Sequence, residues 1–157
     1  MDWSLFAIFL VACGAAASTG AMFTPDEWYR QLDKPSWTPP DWVFPVTWAT
    51  LYLLMALAAA RATLFGAEAF HALALWTVQI VLNAIWSPIF FGAKRIRSGL
   101  IGVGALWLAV FATMVALWRV DWLSGALFVP YIVWVSIAFA LNLAVLRRNE
   151  DVHARHA

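Results

Sequence analysis

The chain has 157 residues, of which 64% are hydrophobic and 12% charged, about half the charged fraction of an average soluble domain. This composition places the chain in a lipid bilayer and leaves no room for an appended soluble catalytic domain, so residues 1–157 are predicted to form one membrane domain. The formal net charge is +1, and the single cysteine, Cys13, excludes an intrachain disulfide and a thiolate metal cluster.

Long uncharged runs predict an all-α bundle of five membrane-spanning helices, since each run is near the about 20 residues that a bilayer requires. The predicted spans are residues 3–23, 42–60, 72–91, 98–118 and 123–146. Pro45, Pro88 and Pro130 fall within these runs and predict kinks, because each removes one backbone donor. The polar tail from Arg147 is predicted to fray.

Small residues recur at a spacing of four in the first span, as Gly14 with Ser18 and Ala16 with Gly20. Such stripes allow two helices to approach closely. The pattern favours packing inside the monomer, and a homodimer through the same stripes remains the alternative.

The longest connector joins the first two spans and is rich in proline and tryptophan. Its core reads Lys34-Pro35-Ser36-Trp37-Thr38-Pro39-Pro40-Asp41-Trp42. The prolines fix φ at their own positions and restrict the residues before them, which predicts a structured loop with its aromatic rings in defined places. The interpretation is a lid over the helices, carried by Trp28, Lys34, Trp37 and Trp42.

The basic residues divide unequally between the two ends of the predicted bundle. One end receives Arg61 and Arg119, whereas the other receives eight Lys and Arg residues from the first loop, the Lys94–Arg97 loop and the C-terminal tail. By the positive-inside tendency, the first loop and the C-terminus are predicted to be cytoplasmic and the N-terminus outside. The Lys94–Arg97 cluster is interpreted as this topology signal rather than as a nucleic-acid site.

Six tryptophans near span ends are explained as interfacial anchors. They are Trp3, Trp28, Trp37, Trp42, Trp118 and Trp122. Five more lie deeper and need another explanation. They are Trp48, Trp76, Trp86, Trp107 and Trp134.

Three spans each present a polar or aromatic stripe at helical spacing. The stripes are Trp48 with Tyr52, Gln79 with Asn83 and Trp86, and Trp134 with Ala138 and Asn142. Amide side chains are costly in hydrocarbon, so these stripes are predicted to face inward. One interpretation is a pocket for a planar, mostly apolar ligand, and the alternative is interhelical hydrogen bonding with aromatic filling of the core.

No Asp, Glu, Lys, Arg or His lies in the middle of a predicted span. This pattern argues against a proton relay, paired catalytic carboxylates and a buried ion pair, and therefore against hydrolysis and ion-coupled transport. His71, His153 and His156 lie at a span end or in the tail, so no histidine is placed to ligate a haem iron between helices. A metal site is not predicted.

The chain resembles the family of tryptophan-rich sensory proteins and translocator proteins, also called the TspO/MBR or peripheral-type benzodiazepine receptor family, and looks like a bacterial member. The resemblance covers nearly the whole chain. It rests on Trp28-Tyr29, Lys34-Pro35-Ser36-Trp37, Pro39-Pro40, Trp42-Val43-Phe44, Trp48, Leu51-Tyr52, Gln79, Asn83, Trp86-Ser87-Pro88-Ile89-Phe90-Phe91-Gly92, Pro130-Tyr131, Trp134 and Leu141-Asn142.

The resemblance implies a five-helix membrane protein, frequently dimeric, that binds porphyrins and other planar hydrophobic ligands and requires no cofactor. Its ligand pocket would lie beneath the first loop. The residues implied to line it are Trp48, Gln79, Asn83, Phe90, Trp134, Ala138 and Asn142, with Tyr52 added from the helical stripe.

Three functions remain open at this stage. The first is tetrapyrrole sensing, buffering or transport; the second is light-dependent porphyrin breakdown, for which Trp48 and Trp134 resemble the implicated tryptophans; the third is a structural membrane assembly module. A sterol-recognition pattern of animal members needs a tyrosine where this chain has Leu143, which argues against sterol binding.

Overall fold

Five long helices and two short ones account for most of the chain in a computed structural model, which describes the backbone of residues 1–155 and the side chains of residues 1–149. The long helices confirm the predicted all-α, five-helix architecture. In chain order the helices are α1 (Trp3–Met22), α2 (Glu27–Gln31), α3 (Val43–Ala62), α4 (Phe70–Ser87), α5 (Ile96–Val120), α6 (Trp122–Ala126) and α7 (Val129–Arg155).

The connection from α3 to α4 is itself helical. A 3-10 segment, Thr63–Ala69, joins the two, and within it Gly66 has a φ of 57°, a left-handed conformation that glycine adopts without a Cβ clash. By length and apolar composition alone, four stretches of the described chain are able to cross a membrane. The number is four rather than five because Val43–Gly92, which contains both α3 and α4, counts as one stretch. Gly66 divides this stretch into α3 and α4.

The predicted kinks at Pro45 and Pro130 are wrong, because both residues lie in the first turn of a helix. Pro45 is the third residue of α3 and Pro130 the second residue of α7. Backbone N–H groups of a first turn have no intrahelical acceptor, so proline removes nothing there. Pro88 instead marks a change of helix type, since the π-helical segment Pro88–Gly92 continues α4.

The fifth predicted span is divided in two, contrary to the single run of 123–146. The Asp121 side chain caps α6 by accepting a hydrogen bond from the Ser124 N–H (3.0 Å), and the short helix ends before Phe128. Phe128 then accepts the first backbone hydrogen bond of α7 from Ile132 (3.0 Å). The prediction that the chain frays from Arg147 is also wrong for residues 147–155, because α7 continues to Arg155. The tail histidine His156 lies outside the described residues.

The helices pack in the order α3, α1, α4, α5, α7, with α1 between α3 and α4 and with α5 between α4 and α7. On α1, Ala16 is buried and a Cβ at Gly20 would lie 3.8 Å from the Ser87 hydroxyl, so this stripe packs inside the bundle. Gly14 and Ser18, by contrast, are exposed on the surface.

Ion pairs tie the loops together at each end of the bundle. Asp26 of the first loop meets Lys94 (2.8 Å) and Asp33 meets Arg148 (3.5 Å), so the three basic segments share one end. Their cytoplasmic orientation stays a prediction.

The opposite end holds an ion pair that sequence reasoning excluded. Arg61 binds Asp121 through two hydrogen bonds of 2.7 and 3.2 Å, and the Asp121 side chain is only 7% exposed. Charged residues are absent from the middle of the predicted spans but not from their ends. The guanidinium of Arg61, at the end of α3, reaches Asp121 in the turn between α5 and α6. The hydrogen bond from Arg61 lowers the pKa of Asp121 from 3.8 to about 2.

Candidate ligand-binding site

A chain of hydrogen bonds joins three of the predicted site residues to Tyr131. The Tyr52 hydroxyl donates to Asn83 Oδ1 (2.9 Å), Asn83 Nδ2 donates to the Tyr131 hydroxyl (3.0 Å), and the Tyr131 hydroxyl donates to Gln79 Oε1 (3.0 Å). Helices α3, α4 and α7 supply these groups, and Gln79, Asn83 and Tyr131 are buried. The polar stripes of two predicted spans therefore face inward and meet.

Aromatic rings fill the space between α3 and α7. Trp48 stacks on Tyr52 with ring centroids 5.5 Å apart and meets Tyr131 edge-on at 6.1 Å. One turn away, Phe44 meets Trp134 edge-on at 5.6 Å. We call the set Phe44, Trp48, Tyr131 and Trp134 the α3–α7 seam. Within the described residues these two helices meet through side chains rather than through close backbone packing.

Phe90 belongs to a second aromatic cluster, beneath the first loop. Its ring stacks on Trp86 at 5.2 Å and meets Trp28 at 5.9 Å and Tyr29 at 6.2 Å, both edge-on. Phe90 is buried by these contacts. Of the four residues predicted to form a lid, Trp28 is the one whose ring packs onto Phe90.

Lys34 stabilises the first loop from within. Its ammonium donates to three carbonyl oxygens, those of Tyr29 (2.8 Å), Arg30 (3.2 Å) and Leu32 (3.2 Å), and lies 4.7 Å from the centroid of the Tyr29 ring. The three ammonium hydrogens are therefore directed at the loop's own backbone.

Asn149 of α7 binds the first loop at Asp33. Its Oδ1 accepts from the Asp33 N–H and its Nδ2 donates to the Asp33 carbonyl, both at 3.1 Å. At the other end of the loop, a hydrogen bond from Lys94 lowers the pKa of Asp26. The first loop is thus held against both α7 and the turn before α5.

The remaining loop tryptophans point away from the buried network. Trp42 is 68% exposed at the start of α3. Trp37 is exposed too, and it forms one wall of an open groove of about 580 Å³ on the outward face of α7. The groove is lined by Trp37, Pro39, Val133, Ser136, Ile137 and Ala140. Trp37 is the one predicted site residue among them.

Two buried amides retain unused hydrogen-bonding atoms. Gln79 Nε2 and Asn142 Oδ1 have no partner within the described part of the chain. Ala138, between Trp134 and Asn142 on α7, is half-buried and packs on the core. The Gln79 side chain thus has an N–H group, and the Asn142 side chain a carbonyl group, available to hydrogen-bond a ligand.

Sequence reasoning missed Tyr131 and Phe44 as members of the site. Tyr131 precedes Trp134 by three residues and therefore shares its helix face, so the helical spacing that selected Ala138 and Asn142 also points to it. Phe44 precedes Trp48 by four residues in the same way. Both stand in the motifs that carry the family resemblance, but a large aromatic residue is equally expected in a packed core, so neither was selected as a site residue.

Comparison with known proteins gives matches over almost the whole chain. Residues 6–148 match the model of the TspO/MBR family. Protein CrtK of Rhodobacter capsulatus is 53% identical over 152 residues, covering 95% of each chain. The tryptophan-rich sensory protein of Cereibacter sphaeroides is 51% identical, covering 95% of this chain and 94% of its own.

The chain belongs to the TspO/MBR family. The human translocator protein is a more distant relative, 36% identical over 90% of this chain and 88% of its own. The family and the apolar helices together establish a multi-pass membrane protein, and a general membrane receptor role fits a TspO/MBR protein with these relatives.

Proposed function

We propose that this TspO/MBR protein binds porphyrins such as protoporphyrin IX between α3 and α7, and that this binding serves tetrapyrrole sensing, buffering or transport. The observation that carries the proposal is the α3–α7 seam. Flat aromatic faces from two helices line it, and they are held by side-chain contacts that rings of a planar ligand are able to replace.

The polar groups near the seam support a ligand with few hydrogen-bonding atoms. Asn83, Gln79 and Tyr52 contribute amides and hydroxyls, and no charged side chain lies among them. Small-molecule sites of this kind are mostly apolar, with a small number of oriented polar groups. A porphyrin macrocycle has this balance of properties.

The carboxylates of a porphyrin would remain at the loop end of the seam. Lys34 directs its ammonium at three loop carbonyls, so the exposed Arg30 is the better partner for a propionate. A charged group at this end stays near the membrane surface, where its hydration is retained. The ligand would then enter with its apolar edge first.

A protoporphyrin IX titration of the purified protein, followed by porphyrin absorbance, tests the proposal. We expect saturable binding that weakens about tenfold or more in the double variant Trp48→Phe, Trp134→Phe, because each indole contributes stacking area. The matched control, Trp3→Phe with Trp122→Phe, removes two exposed tryptophans and leaves affinity unchanged. Equal affinities in the two double variants would reject the seam as the site.

A second candidate function is light-dependent porphyrin degradation with dioxygen as the oxidant. The observation that favours it is the contact of Trp48 with both Tyr52 and Tyr131, which places three oxidisable rings together. Illumination of the porphyrin complex would then yield new absorbing products, and Trp134→Phe or Trp48→Phe would abolish them while porphyrin still binds. An unchanged absorbance spectrum under light would mean that the protein binds porphyrin without degrading it. If no saturable binding occurs, the structural membrane assembly module is favoured.

A further inference from the structure

The hydrogen-bond chain in the site has a direction, and it ends on an unused donor. A phenol has one proton, and the Tyr131 hydroxyl already accepts from Asn83, so it gives that proton to Gln79 Oε1. Gln79 Nε2 is left without a partner although the residue is 0% exposed. Buried amide donors are rarely left unpaired, which makes Nε2 a candidate contact for a ligand.

The partner of Gln79 should be a neutral acceptor rather than a carboxylate. Helix α4 carries no Lys or Arg from Phe70 to Ser87, and the ion pairs of the described residues lie at the ends of the bundle. An unpaired carboxylate would be strongly disfavoured there. A carbonyl oxygen accepts from Nε2 without a charge, and Oε1 retains a second lone pair for a ligand N–H.

A cis-lactam satisfies both atoms of the Gln79 amide, because its C=O and N–H stand side by side. Protoporphyrin offers no such group at the edge opposite its carboxylates, where it carries methyl and vinyl substituents. An open-chain tetrapyrrole cleaved opposite its propionates carries lactams at that edge. The two ligand classes therefore differ at the edge that faces Gln79 when the propionates stay near the loop.

We infer that the site is matched to open-chain tetrapyrroles with terminal lactams, which it binds through the Gln79 side-chain amide. This inference rests on the proposed function, since it assumes that a tetrapyrrole occupies the α3–α7 seam. The Tyr131 ring, whose hydroxyl donates to Gln79, meets Trp48 across the seam at 6.1 Å, so a tetrapyrrole that separates these two rings lies close to the Gln79 network.

The test compares biliverdin IXα with protoporphyrin IX on the full-length protein in detergent. We expect biliverdin to bind about tenfold more tightly than protoporphyrin IX, and Gln79→Met to remove this advantage by weakening biliverdin binding about tenfold more than it weakens protoporphyrin binding. The helical circular dichroism spectrum of the variant is the control for its folding. Raman spectra of bound biliverdin should show the lactam carbonyl stretch at lower frequency in the unaltered protein than in Gln79→Met.

A change on the ligand keeps the test decisive if Gln79→Met does not fold. A lactim ether of biliverdin, in which the lactam oxygen is alkylated, should bind the unaltered protein about tenfold more weakly than biliverdin. Equal binding of biliverdin and its lactim ether would overturn the inference, as would an equal effect of Gln79→Met on both tetrapyrroles. If neither tetrapyrrole binds, the proposed function itself fails; if protoporphyrin alone binds, only the lactam inference fails.

Discussion

The α4–α5 interface and the α3–α7 seam are both rich in aromatic residues, but they are built differently. Between α4 and α5, the Trp86 indole N–H donates to the Gly99 carbonyl (3.1 Å), and Gly99 has no side chain to separate the helices. In the seam, the indole N–H groups of Trp48 and Trp134 make no hydrogen bond within the described residues, and the helices meet through rings.

This difference separates structural tryptophans from candidate ligand contacts. Trp76 and Trp107 resemble Trp86, since their indoles donate to the Met55 carbonyl (3.1 Å) and to the Ser136 hydroxyl (2.8 Å). Depth in the predicted spans did not distinguish the five deep tryptophans, and the helical stripes grouped Trp86 with Trp48 and Trp134. The hydrogen-bond partner of the indole distinguishes the three that hold helices together from the two that a ligand would contact.

The largest expected effect comes from adding a methyl group to the α4–α5 interface. A Cβ at Gly99 would lie 2.5 Å from Phe90 Cδ2, and Phe90 is itself enclosed by rings. We expect Gly99→Ala to lower the free energy of unfolding by about 1–3 kcal/mol, measured by denaturation in detergent. Gly102→Ala is the matched control on the same helix, because its Cβ meets Trp86 at an ordinary 3.5 Å. Equal stability of the two variants would contradict the tight packing at Gly99.

Replacing one tryptophan at a time tests the distinction itself. Trp86→Phe removes the hydrogen bond to Gly99 and should lower stability by about 1–2 kcal/mol. Trp48→Phe keeps an aromatic ring against Tyr52 and should cost about 1 kcal/mol or less, but it should weaken porphyrin binding. Thermal melting and porphyrin titration of both variants check the two effects. The reverse pattern would contradict the assignment of these roles from the hydrogen-bond partner of the indole.

The end of the bundle opposite the first loop should be sensitive to acid. Arg61 of α3 holds Asp121, and this contact lowers the pKa of Asp121 from 3.8 to about 2. The carboxylate therefore stabilises the fold above about pH 4, and the contribution disappears as the pH falls through about 2. We expect a loss of about 1–2 kcal/mol over that range, reduced because the guanidinium is a third exposed. Melting curves at about pH 5 and about pH 2 measure this loss of stability. In Asp121→Asn, the loss between the two pH values should be smaller by this amount.

The sequence was sufficient for the parts of the fold that depend on composition and local spacing. Uncharged runs of span length located all five long helices, and helical spacing placed Gln79 and Asn83 on one inward face. Proline positions were interpreted less well. Whether a proline kinks a helix depends on whether it lies in the first turn, and apolar runs do not mark where that turn begins.

The parts that could not be predicted depend on contacts between distant residues. Phe90 was grouped with Trp48, whereas its ring meets Trp28 and Tyr29 of the first loop, about 60 positions earlier in the chain. The Arg61–Asp121 pair joins residues 60 positions apart, and the Asn149–Asp33 pair joins residues 116 apart. An asparagine in a polar segment after an apolar run has no local pattern that indicates such a partner.

The smallest expected effect on stability lies at the first-loop end of the bundle, where Asn149 holds the first loop. Asn149→Ala removes both hydrogen bonds to Asp33, but the site is solvent-exposed, so the free energy of unfolding should change by about 0.5 kcal/mol or less. The local effect should be larger: hydrogen exchange at the Asp33 amide should accelerate at least about tenfold, because its acceptor is lost.

Arg148→Gln is the control for this local effect. It removes only the 3.5 Å ion pair with Asp33 and leaves both backbone hydrogen bonds, so exchange at Asp33 should stay within about twofold of the unaltered protein. If the loop covers the entrance to the seam, Asn149→Ala should also speed protoporphyrin association and dissociation together, leaving affinity nearly constant. Unchanged exchange and unchanged rates would show that the packing of Trp28 on Phe90 holds the loop closed without Asn149.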